Sequence, residues 1–277
     1  IILLGLTAIL RARPTAGDYV AGKFLTNLDA RVRADAANTL ARLRSKNFNS
    51  QLRTVLMTDD DAVARANAAR ALGAAEDKES LNALLEAAVT DEDSRVRVSA
   101  IRAVGGLREK NAAAKLLEQG EKFLESFKKS KSANGVEKNE LLEIAAALGR
   151  ILPNTADEKA SAFLQEFRQA DKFSSPETEI AFAQIAPAKY IAEFKAKNSG
   201  YTDWRVASAY AQGLSSLAGS AEVATSWRTR SCRRSWRLVM TSTSSRAMRA
   251  TAMGSQKKRA STQASARSKG ANSAAAK

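Results

Sequence analysis

The side chains of this chain best suited to hold another molecule recur at a spacing of 32 residues: Arg31, Val63 and Arg95; Asp35, Asn67 and Ser99; Asn38, Arg70 and Arg102. Arginine and amide groups make paired hydrogen bonds to carboxylates or phosphates. Arg31, Asn38, Asn67, Arg70, Arg95 and Arg102 are therefore the candidate partner-binding residues, against the plainer alternative of a merely solvated face. Between them, at the same period, an aspartate precedes an arginine by four residues: Asp29 and Arg33, Asp61 and Arg65, Asp93 and Arg97.

Other chemistry is scarce. The chain has no histidine and a single cysteine, Cys232. It therefore lacks the commonest metal ligand and the usual general base near neutral pH, and it cannot form an internal disulfide framework or a cysteine-rich zinc site. No catalytic, cofactor-binding or metal-binding residue is assigned, and the chain is expected not to be an enzyme.

Positioning such rows takes a repeated element, and a fixed period in this range signals stacked repeats. Asp29, Asp61 and Asp93 stand where a helix N-cap would accept backbone hydrogen bonds. Behind them run apolar stripes at helical spacing: Val32, Ala36, Leu40 and Leu43; Ala64, Ala68 and Leu72; Val96, Ala100, Val104 and Leu107. A preceding helix shares the period, through Val20, Leu52, Leu84 and Leu116 and through Phe24, Leu56, Ala88 and Gly120. Each repeat is thus a helical hairpin whose apolar faces stay incomplete until a neighbour stacks on it. Gly73, Gly105 and Gly149 allow tight packing or helix termination. Farther on, 140–151, 157–170, 176–185 and 187–196 read as helices, 203–214 as a degenerate copy, and the lysine-rich 120–137 as a long loop.

The pattern Asp-x-x-Val-Arg-x-x-Ala-x-x-x-Leu-Gly resembles bacterial HEAT repeats of the short type found in phycocyanobilin-lyase-like proteins. Its fullest copy is Asp93-Ser-Arg-Val-Arg-Val-Ser-Ala-Ile-Arg-Ala-Val-Gly105, and the likeness extends over 17–118. The resemblance implies an all-α solenoid in which Asp29, Arg33, Asp61, Arg65, Asp93 and Arg97 form a hydrogen-bonded ladder between hairpins. It also places the second helix of each hairpin on the concave side, where the candidate binding residues would face a protein partner. Related HEAT-built hydroxylases bind iron through histidines that this chain lacks, and HEAT-like DNA glycosylases are matched only by the residue types Asp203, Trp204 and Arg205. Some similar bacterial repeat regions precede a cyclophilin-type prolyl isomerase domain, so a second expectation is the recognition region of a larger enzyme.

The formal net charge of +15 is unevenly spread. Residues 1–222 carry 31 basic and 29 acidic side chains, whereas 223–277 carry 13 basic and none acidic. Three readings of 225–277 stand: a disordered basic tail that binds nucleic acid without sequence preference, a frameshifted translation, or a folded module. The expected organisation is regular repeats over 1–118, degenerate repeats over 119–218 and a basic low-complexity segment over 219–277. The N-terminal Ile1–Leu6 run is too short to span a bilayer, and no membrane partner is expected. The start at Ile1 rather than Met points to residues upstream, so the compartment is unread, with the cytoplasm as default.

Overall fold

The computed structural model describes residues 1–130, 135–171 and 175–196, together with 209, 212 and 213. The chain divides into units at 1–224 and 225–277, and every described residue belongs to the first. The three readings of the basic segment therefore lie outside the described residues, as does most of the degenerate copy expected at 203–214.

Among the described residues the architecture is all-α, an α-α solenoid. Its helices are α1 (Ile2–Ala12), α2 (Gly17–Gly22), α3 (Ala30–Leu43), α4 (Asn49–Thr58), α5 (Ala62–Ala74), α6 (Leu81–Thr90), α7 (Ser94–Leu107), α8 (Ala113–Ser130), α9 (Val136–Ile151), α10 (Glu158–Ala170), α11 (Pro176–Ile185) and α12 (Pro187–Ala196). Hairpins pair α2 with α3, α4 with α5, α6 with α7, α8 with α9, and α10 with α11. The second helices stack in one row from α1 through α3, α5, α7 and α9 to α11, and α4, α6, α8 and α10 form the other.

Aspartate starts the second helices: the carboxylates of Asp29, Asp61 and Asp93 accept from the N–H of Arg31, Ala64 and Arg95 at 2.9, 2.8 and 2.8 Å. Capping of this kind satisfies donors that the first turn leaves free, and is worth about 1 kcal/mol. The same helices end on Arg44, Glu76 and Arg108, with left-handed φ of 53°, 56° and 57°. The glycines do not end them. Gly73 and Gly105 lie inside α5 and α7, where a side chain would strike the next helix: an added Cβ would stand 2.9 Å from Ala103 Cα and 2.8 Å from Ala147 Cα. Close backbone approach along the row of second helices rests on these bare positions.

Two expectations change here. The lysine-rich segment expected as a loop is mostly helix, because Leu116, Leu117, Leu124 and Phe127 fall on one buried face and the lysines on the other. Phe127 packs edge-on against Phe167 of α10, with ring centroids 6.1 Å apart, so this face is core rather than connection. In the first hairpin the period slips by one residue. Val20 is 46% exposed, and Ala21 and Leu25 occupy the core positions held elsewhere by Leu52 and Leu56. The chain there passes from α2 into a 3₁₀ turn over Lys23–Thr26, which rotates the following side chains.

Candidate functional site

In the first three hairpins the turn between the two helices is held by an arginine from its own second helix. Nη1 of Arg65 donates to the carbonyls of Asp59 and Asp60 at 2.8 and 3.3 Å, while Nε and Nη2 grip both oxygens of Asp91 in the next turn at 2.8 and 3.0 Å. Arg33 does the same with the carbonyls of Asn27 and Leu28 and the carboxylate of Asp59. Asp59 and Asp91 also accept the N–H of Asp61 and Asp93, both at 2.9 Å. In these two turns a pair of aspartates therefore divides the work: the first receives the preceding repeat's arginine and the second caps the helix.

The ladder thus runs from Arg33, Arg65 and Arg97 to acids other than Asp29, Asp61 and Asp93. Arg97 reaches instead Glu140 of α9, at 2.6 Å. A further rung with altered chemistry follows, Lys138 to Asp171 at 2.8 Å. Burial pushes the Asp59 carboxyl up, but its hydrogen bonds from Arg33 and the Asp61 N–H outweigh this and hold it below the usual range. For Glu140 burial wins over Arg97, and its carboxyl lies above the ordinary value. The signal for the true acids was present in the sequence as Asp59-Asp60-Asp61 and Asp91-Glu92-Asp93, an acid two residues before each cap.

The candidate partner-binding residues do not form one equivalent set. Asn67 is buried: its Nδ2 donates to the Ala34 carbonyl of α3 at 2.9 Å and its Oδ1 accepts from Arg70 at 3.0 Å. It is a link between helices. Arg95 folds back onto Asp93 at 2.6 Å and holds that carboxyl down at about 2. Arg102 forks onto Glu143 of α9, joining two repeats. Arg31 and Arg70 are exposed on α3 and α5, and Asn38 is half-buried. Beside them stand Asp35, Arg42 and Val63, the last 42% exposed. The resulting strip mixes cationic, amide and apolar side chains along the row of second helices.

Two other features bear on binding. A cleft of about 440 Å³ opens between the first two hairpins, beside Leu25, Leu28, Thr58 and the Arg33–Asp59 pair. Arg33 and Asp59 there already satisfy each other. In the C-terminal half, Arg168 bonds Glu179 at 2.8 Å and lies 5.2 Å from the Phe182 ring centroid. Burial, reinforced by the charge of Glu179, pushes the neighbouring Tyr190 hydroxyl far above its ordinary range. This network ties α10, α11 and α12 together. Among the described residues there is no group of three or more potential metal ligands, and no helix is long and apolar enough to cross a membrane.

A family model described as HEAT repeats matches residues 20–105 and 49–122. Among solved structures, the complex of CpcE and CpcF of phycocyanin lyase from Nostoc sp. PCC7120 is similar with a TM-score of 0.53 and 20% identity, covering 81% of this chain and 94% of that one. No curated protein matches the chain. The likeness overturns the expectation that the chain is not an enzyme: the architecture it shares is one on which a lyase is built.

Proposed function

On the premise that this is a HEAT-repeat protein, with the repeats matched over residues 20–122, we propose that it recognises a protein partner along the row formed by α3, α5 and α7. The observation that carries this reading is the separation of two arginine populations on the same helices. Arg33, Arg65 and Arg97 are consumed by the ladder. Arg31 and Arg70 project from the same helices beside Asp35, Arg42 and Val63. Exposed guanidinium groups next to apolar side chains match the composition of interface hot spots. Solenoids work through such extended faces.

The informative substitutions are Arg31→Glu and Arg70→Glu, since Arg102 also supports the stack through Glu143. The double variant should bind a partner identified by cross-linking at least about tenfold more weakly than the parent chain, with a melting transition lowered only by the loss of the Arg70–Asn67 hydrogen bond. Equal affinity in both proteins would exclude this face.

A second reading, a role in lyase chemistry, is favoured by the likeness to the phycocyanin lyase complex. Incubation of the chain with phycocyanin, followed by the visible absorption of its chromophore, tests it. A spectral change that depends on the chain supports the reading, and an unchanged spectrum removes it.

A further inference from the structure

Two neighbouring turns at the other ends of the second helices carry charge that the fold leaves unused. Arg11 and Arg13 stand at the end of α1, and Arg42, Arg44 and Lys46 at the end of α3, all exposed. The turns lie side by side: the Asp18 carboxylate at the start of α2 accepts from Ser45 Oγ at 2.8 Å and from Asn47 Nδ2 at 2.7 Å. Asp18 is the sole acid within either turn. None of the five cations forms an ion pair with another described residue.

An aromatic group sits within this cluster. Tyr19, next to Asp18, is 55% exposed and rests edge-on against Phe48, with centroids 5.8 Å apart. Phe48 in turn presses on Gly22, where a Cβ would collide with its ring. Tyr19 is thus a supported, outward-facing ring beside Val20, itself 46% exposed. Basic residues at helix C-termini are favoured by the helix dipole. That preference accounts for single cations at helix ends such as Arg108, Arg150 and Arg168, and not for five on two adjacent turns. At the third turn, after α5, the arrangement reverses: Arg53 pairs with Asp77 and Glu79, and Lys78 with Glu109. Exposed Arg108 and Lys110 beyond α7 are unpaired as well, but they flank Glu109, whereas the first two turns bring five cations together around one acid.

We propose that residues 11–20 and 42–48 form a docking surface, meeting the row of second helices at Arg42 but distinct in its other residues, for an acidic segment of a protein partner. Four arginine forks engage its carboxylates and the Tyr19–Val20 pair covers an apolar side chain between them. The aliphatic Val20 beside Tyr19 favours a peptide that carries both carboxylates and an apolar side chain, whereas the bases of a single-stranded nucleic acid would stack on Tyr19 alone.

The test uses the full chain and two probes, a synthetic peptide of repeated Glu-Glu-Leu units and an oligothymidine of equal charge. Hydrogen–deuterium exchange locates binding, which separates this surface from the basic segment at 223–277. The peptide should slow exchange in 11–20 and 42–48, and Arg13→Glu with Arg44→Glu should weaken its affinity for these turns about tenfold. Glutamate is tolerated at these left-handed positions, since Glu76 holds the equivalent one with φ 56°. Tyr19→Ala should weaken peptide binding further at high salt, where the charged contribution is screened. Protection absent from these turns, affinity unchanged by the reversal, or equal protection by the oligothymidine would each overturn the proposal. None of these outcomes depends on Arg31 or Arg70.

Discussion

Arg65 does three jobs with one side chain: it closes its own turn through two carbonyls, fixes the distance to the next repeat through Asp91, and neutralises that buried acid. Its removal leaves a carboxylate of 8% side-chain exposure with a backbone N–H but no counter-ion. Arg65→Ala should cost roughly 2–4 kcal/mol, toward the lower part of the range for broken buried pairs because Asp91 stays near the surface. Arg65→Lys should recover only part of this, since an ammonium cannot span both carboxylate oxygens and the carbonyls together. Urea denaturation of the three proteins measures the order. The ladder's arginines were legible from the period, but their acids were not. Asp61 and Asp93 share that period with Asp59 and Asp91, and spacing alone does not say which carboxylate caps a helix and which crosses to the next hairpin.

At the scale of the helix, the decisive positions carry the smallest side chains. Ala is the better helix former by about 1 kcal/mol, so propensity alone predicts that Gly105→Ala stabilises α7. Packing predicts the opposite, because the new methyl would stand 2.8 Å from both Cα and Cβ of Ala147. Gly105→Ala should therefore destabilise the protein by about 1–3 kcal/mol, a sign readable in a thermal melt beside Gly106→Ala, whose site is open. The extent of α8 was hidden for a related reason. Lysines at 122, 128 and 129 and the polar run after 130 dominate the composition, while the buried Leu124 and Phe127 that make it a helix are few. The Val20 register failed where α2 gives way to a 3₁₀ turn, a change of pitch that hydrophobic spacing does not encode.

Across the whole stack, contacts run from each hairpin to its neighbours in the row. Stability in such arrays is a sum of local and nearest-neighbour contributions. Arg65→Ala should accelerate amide exchange in α3, α5 and α7 while leaving α10 and α11 unchanged. Hydrogen–deuterium exchange on the variant measures this, and uniform acceleration would show instead that the described residues unfold as one cooperative body. The all-α class and the hairpin register were readable over the first three repeats because their period is constant. The pattern fades after α7 because the second helices begin 42 and then 40 residues apart, at positions 136 and 176, rather than 32.

The Arg97–Glu140 pair spans 43 residues of sequence where Arg33–Asp59 and Arg65–Asp91 span 26. The arginine finds a carboxylate at the right place in space, whatever length of chain lies between. Hairpin length and stacking are consequently separable properties. An insertion at the tip of the α8–α9 hairpin would enlarge one repeat without displacing the next, which makes that tip a natural point for grafting a foreign loop.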